Sequence, residues 1–258
     1  MKQFLLELAA LSAAETLPRF RSRLSVDNKL EQAGGDEFDP VTEADREAER
    51  VIRQAISAQY PNDKILGEEF GTNNNDAADG WIIDPVDGTR AFICGVPMWG
   101  TLVGRHEADH MVAGLMHQPF TGESYVATPE GAWLVRNGEE TVLHTSKETQ
   151  LSRAKMHTTS PRIFSPDTQA PYDRVEAACR LPRYGCDCYG YALLAAGHID
   201  LVVEAGLQTY DIAPMIPIIE GAGGVVRTWD GGNAKGGGNV IAAATEALYE
   251  EARLALIG

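Results

Sequence analysis

The chain has 258 residues, 44% hydrophobic and 23% charged, with a formal net charge of -15. That length can bury a large core in one or two domains, and the composition is ordinary for a soluble globular protein. Negative charge on this scale repels nucleic acid and anionic membranes, so neither is an expected partner; a phosphate ester would be repelled too, unless bound cations made its site locally positive.

Residues 2–20 read as an amphipathic helix with Phe4, Leu8 and Leu11 on one stripe. Glu7 and Glu15 interrupt its apolar stretch, so no secretion signal is expected, and no run approaches the roughly 20 apolar residues that span a bilayer. Residues 30–40 are rich in Gly and acids and read as a mobile loop. Thr42-x-x-Asp45 has the form of a capping box opening a helix that runs to about Tyr60. Lys64 to Leu66 is a short strand entering Gly67-Glu68-Glu69, and residues 71–80, with three consecutive Asn, form a loop. The apolar strand from Trp81 is expected to end at Asp84, broken by Pro85.

Strand-like runs follow at 98–104, 111–117, 123–127, 131–135 and near 141–145, the last after an Asn137-Gly138 turn. From about residue 150 the elements alternate: strands at 155–158, 200–204, 224–228 and 239–243, and helices at 171–180, 188–197, 211–222 and 245–257. An α+β half (1–146) followed by an α/β half (147–258) predicts stacked layers of helices and sheets. Cys94, Cys179, Cys186 and Cys188 lack zinc spacing and read as free thiols of a reducing cytoplasm. His106-Glu107-Ala-Asp-His110 matches the zinc-protease pattern, but it lies between two strand-like runs, where a hairpin is expected instead of the helix that pattern needs.

The chemistry concentrates in Asp84-Pro85-Val86-Asp87-Gly88-Thr89. Two acids beside a buried-looking strand are costly to fold unless a cation compensates them, and Asp84, Asp87 and the Val86 carbonyl form an oxygen donor set that suits a hard cation. Asp45, Glu68 and Asp211 each stand at an element end and can converge on the same cleft. Taken singly, each has a plainer reading: a cap for Asp45, a solvated turn for Glu68, a favourable helix start for Asp211.

Taken together, Val41-Thr-Glu-Ala-Asp45, Gly67-Glu-Glu69, Asp84-Pro-Val-Asp-Gly-Thr89 and Tyr210-Asp-Ile-Ala213, followed by Glu220-Gly-Ala-Gly-Gly224, closely resemble the inositol monophosphatase family in order and spacing over essentially the whole chain. Cys94 and Pro214 depart from the family pattern, and neither removes a ligand. The loop 30–40 is longer than in core members, which leaves the match of Lys29 to the family's loop lysine open. The resemblance implies a layered αβαβα sugar-phosphatase fold of the inositol monophosphatase and fructose-1,6-bisphosphatase type, and a homodimer. It implies Mg²⁺-dependent hydrolysis of a small phosphate monoester without a covalent intermediate, using two or three ions. By that match Glu68, Asp84 and the Val86 carbonyl would hold a first ion, and Asp84, Asp87 and Asp211 a second. A third would sit near Glu68, with Asp45 reaching it through water. Thr89 and Glu68 would orient the attacking water, and the Gly88 and Thr89 amides would bind phosphate.

Arg90, Asp187 and Thr158-Thr-Ser-Pro161 further resemble the histidinol-phosphate phosphatase branch. Asp187 and Glu204 could pair with the ammonium and imidazole of that substrate, for which a neutral polyol has no counterpart. Alternatively, Asp187 caps the helix that starts beside it, and Arg90 makes a surface ion pair or a dimer contact in place of a phosphate or structural role. The rival functions are an inositol or sugar-phosphate phosphatase and a non-enzymatic regulatory protein of the same fold.

Overall fold

This computed structural model describes residues 1–23, 26–28, 40–73 and 77–258. The loop expected at 30–40, and Lys29, lie almost entirely outside the described residues, as does the centre of the 71–80 loop.

Among the described residues the first half supplies helix α1 (Lys2–Thr16), the strand pair β1 (Val26–Asn28) and β2 (Pro40–Thr42), helix α2 (Glu43–Gln59) and an eight-stranded sheet. In chain order that sheet holds β3 (Lys64–Gly67), β4 (Gly71–Asn73), β5 (Gly80–Asp87), β6 (Gly100–Glu107), β7 (His110–Gln118), β8 (Glu123–Thr128), β9 (Gly131–Arg136) and β10 (Glu139–Val142). Its spatial order is β10-β9-β8-β7-β6-β5-β3-β4, antiparallel except between β3 and β5. A short helix α3 (Thr89–Ile93) leaves the end of β5.

The second half builds a five-stranded sheet from β11 (Lys155–Thr158), β12 (Leu181–Tyr184), β13 (Leu201–Leu207), β14 (Val225–Thr228) and β15 (Gly238–Ala243), ordered β12-β11-β13-β15-β14. Its helices are α4 (Pro166–Ala178), α5 (Asp187–Ala195), α6 (Thr209–Ile212), α7 (Met215–Gly221) and α8 (Glu246–Ile257).

Apolar faces stack these elements into five layers. Phe4, Leu5 and Leu8 of α1 and Ile52 and Ile56 of α2 pack on Trp81, Ile83 and Leu115 of the large sheet. Leu102 and Met116 on its other face meet Tyr191 and Leu194 of α5 and Ile218 and Ile219 of α7, which in turn meet Val202 and Val240 of the small sheet. Tyr172 of α4 and Leu248 and Tyr249 of α8 cover the remaining face. The order is helix, sheet, helix, sheet, helix, as the resemblance implied.

Prolines account for most departures from the expected elements. Helix α1 stops at Thr16 because Pro18 has no N–H to continue the ladder. The helix expected at 211–222 is two helices, divided at Pro214, which lies against the large sheet where the paired Gly104 and Gly114 leave no room for a Cβ. Leu181-Pro-Arg-Tyr184, in which the sequence signals no strand, is the parallel edge strand β12; its Pro182 is tolerated at an edge. His106 and His110 sit on β6 and β7 on either side of a tight turn, the hairpin expected there.

Candidate active site

Strand β5 does not end at Asp84, where Pro85 was expected to break it. It runs through Pro85 to Asp87 by way of a bulge: Asp84 pairs with Leu102 and Asp87 with Gly100. In an unbroken strand residues three apart point to opposite faces. The extra residue cancels that alternation, so both carboxylates turn to the same side, and a missing proline N–H is accommodated at a bulge. The Pro85 carbonyl left there accepts from Thr101 Oγ1 at 2.8 Å, and Thr101 Oγ1 lies 2.6 Å from Ser12 Oγ of α1.

Asp84 and Asp87 project toward α6, whose capping box brings in a third carboxylate. The Gln208 N–H donates to Asp211 Oδ2 at 2.7 Å. Oxygens of Asp84, Asp87 and Asp211 all lie within 4.8 Å of one another. Burial, followed by the charges of Glu68, Asp87 and Asp211, holds the Asp84 carboxyl well above its usual range. The same happens to Asp87 through burial and then Asp187 and Asp211, although its Oδ1 accepts from the Cys188 N–H at 2.8 Å. Asp84 is only 2% exposed. Three crowded carboxylates with like-charged Glu68 beside them, and the Val86 carbonyl at the bulge, are an all-oxygen donor set. It fits a hard divalent cation, not zinc.

Gly88, in the left-handed region at φ 86°, turns the chain from β5 into α3. Thr89 follows, its hydroxyl 3.0 Å from the Val86 carbonyl and 3.4 Å from Asp45 Oδ1. Asp45 is fully buried; its Oδ2 accepts from the Thr42 N–H at 2.9 Å and from the Thr42 hydroxyl at 2.5 Å. Burial pushes its carboxyl above the usual range, against the opposing effect of the Thr42 bonds. Asp45 is therefore at once the capping residue expected from sequence and a partner of Thr89.

These groups open onto a cleft of about 920 Å³ lined by Glu68, Asp84, Val86, Asp87, Gly88, Thr89, Arg90, Asp187 and Asp211. Asp187, at a left-handed φ of 43°, is the first residue of α5, directly after its N-cap Cys186. Burial pushes its carboxyl up to about 6, moderated by the positive charge of Arg90. Glu204 does not line the cleft. It is 2% exposed, with Oε1 accepting from the Thr159 N–H at 2.5 Å, and burial pushes its carboxyl up to about 8. Arg162 and Tyr210 also line the cleft. Sequence reasoning passed over Arg162 because it belongs to no recognisable block.

Two further clefts, of about 660 and 450 Å³, bring together Lys147, Arg153, Lys155 and Arg180 in one case and Lys64, His106 and Lys235 in the other. Neither contains a residue of the carboxylate cluster.

The profile of the inositol monophosphatase family matches residues 1–256. A histidinol-phosphatase of Chlorobaculum parvum is 35% identical over 247 residues, which cover 95% of this chain and 92% of that protein. A chloroplastic bifunctional phosphatase of Arabidopsis thaliana is 40% identical over 214 residues; these are 82% of this chain but only 59% of the plant protein. The structure of an inositol monophosphatase from Zymomonas mobilis superposes with a TM-score of 0.86 at 39% identity, covering 99% of this chain and 97% of that one.

Proposed function

Because the chain belongs to the inositol monophosphatase family, we propose that it is a phosphatase that hydrolyses L-histidinol phosphate to L-histidinol and phosphate. Glu68, Asp84, the Val86 carbonyl, Asp87 and Asp211 would hold Mg²⁺, the cation on which this family generally depends. When bound, Mg²⁺ supplies positive charge to the phosphoryl oxygens and acidifies a coordinated water.

The protein's own part is orientation. Thr89, fixed between the Val86 carbonyl and Asp45, and Glu68 on the facing turn aim the attacking water at phosphorus. The main-chain N–H groups of Gly88 and Thr89 would bind the phosphate oxygens. Arg90 adds positive charge at the same lip of the cleft.

The observation that carries the substrate assignment is Asp187, a carboxylate on the cleft wall outside the three-carboxylate cluster. A cation on the substrate gives it a partner beyond the moderating charge of Arg90, whereas a neutral polyol offers it none. Glu204 acts one step back, through the Thr159 backbone that it holds.

The test is phosphate release from L-histidinol phosphate and from myo-inositol 1-phosphate at matched concentration, with Mg²⁺ and with chelator. A strong preference for histidinol phosphate, lost on chelation, is expected. A preference for the inositol ester would keep the metal site and overturn the reading of Asp187.

A further inference from the structure

Glu68 stands on a turn between β3 and β4, and a turn is a poor place to hold a ligand still. The structure compensates from α2. Glu49, fully buried on that helix, accepts from the Glu69 N–H at 2.7 Å and the Phe70 N–H at 3.2 Å, the two donors directly after Glu68. Its Oε1 also accepts from Arg53 Nε at 2.6 Å, and Arg53 reaches on to the Gly71 carbonyl. Gly67 completes the arrangement from the other side, since a Cβ there would occupy the space of the Glu49 carboxylate.

We propose that Glu49 is a positioning residue for the metal ligand Glu68, acting through the backbone of the turn that carries it. This rests on the reading of the cleft as a metal-dependent phosphatase site. Asp45, Glu49 and Arg53 are spaced by four residues and so share one stripe of α2. Through Asp45 that stripe holds Thr89, and through Glu49 it holds the Glu68 turn. One helix thereby sets the distance between the two groups that aim the water. If Glu49 and Arg53 served only to stabilise the helix, the pair could lie in solvent, without the burial of a carboxylate against turn amides.

The test uses Glu49→Gln, which keeps the shape but weakens the acceptor, and the milder Arg53→Lys, which keeps the charge but shortens the reach to Gly71. Amide hydrogen exchange at Glu69 and Phe70 is read first in the resting protein, then Mn²⁺ binding by electron paramagnetic resonance, then steady-state kinetics. In Glu49→Gln both amides should exchange faster, and Mn²⁺ affinity should fall about 10-fold or more. Substrate KM at saturating metal should stay within about twofold. Arg53→Lys should shift exchange and Mn²⁺ affinity in the same direction by a smaller factor.

Wild-type exchange and Mn²⁺ affinity in a folded Glu49→Gln would overturn the proposal. So would a Glu49→Gln that fails to fold beside an Arg53→Lys with unchanged exchange and Mn²⁺ affinity. If the wild type hydrolysed no phosphate ester but bound Mn²⁺, the functional reading would fall while exchange and Mn²⁺ titration still judged Glu49. A wild type that bound no Mn²⁺ would sink both.

Discussion

Asp84 has the most neighbours to satisfy. It is buried, crowded by three carboxylates, and its Oδ1 accepts the Val86 N–H across the bulge at 3.1 Å. Asp84→Asn removes a charge that two ions would share, so metal titration should show loss of binding and turnover should fall by at least about a thousandfold. Near-normal activity in that variant would remove the metal assignment. Asp187→Ala is a subtler test. It should lower kcat/KM for histidinol phosphate by about 10-fold or more while changing turnover of a simple aryl phosphate little, because only the former offers Asp187 a cation. Equal losses on both would make Asp187 a structural residue. The carboxylates of the central block were readable from sequence because two acids beside a buried strand break the usual rules of composition. Glu49 was not, since one acid inside an amphipathic helix has no pattern to distinguish it from a solvated one.

At the level of the element, α2 carries the most information per residue. Thr42 both caps it and orients Asp45: the Thr42 hydroxyl accepts from the Ala44 N–H at 3.1 Å and donates to Asp45 Oδ2. Thr42→Ala should cost about 1 kcal/mol in urea unfolding, the usual scale for a lost cap. It should also lower kcat more than it raises KM, because Asp45 loses a partner that aligns it on Thr89. A variant that loses stability with unchanged kcat would separate the cap from the site. The capping box was legible in four letters because its physics is local. The β5 bulge was not. Whether Pro85 ends a strand or sits in a bulge depends on β6 alongside, where register, not composition, decides. The same holds for β12, whose strand character comes from pairing with β11.

For the whole molecule, pH dependence can be assigned to particular groups. His117, on β7, is buried with Nδ1 2.8 Å from Ser124 Oγ, and burial pushes its imidazole down to about 4. The unfolded chain takes up a proton near pH 6.5, while the folded protein refuses it until about pH 4. Unfolding therefore binds a proton in that window, and stability falls as pH falls, by about 3 kcal/mol across it. Glu204, pushed from 4.5 up to about 8, acts in the opposite sense between those values, because there the folded protein keeps a proton that the unfolded chain releases. The useful measurement is thus a difference: urea melts of wild type and His117→Asn from pH 7 to 4 should converge or cross as wild type loses its advantage. Parallel pH profiles would refute the assignment.

The carboxylate cluster also has a kinetic consequence. Asp84 and Asp87 belong to the large sheet and Asp211 to the helix that follows β13 of the small one, so the three oxygens meet only when both halves of the chain have come together. A cation held there would tie the two halves of the chain together, a clasp fastened last and opened first. Interactions absent from the folding transition state slow unfolding and leave refolding unchanged. Saturating Mg²⁺ should therefore lengthen the lifetime of the native state against protease or denaturant, while stopped-flow refolding runs at the same rate with and without the ion.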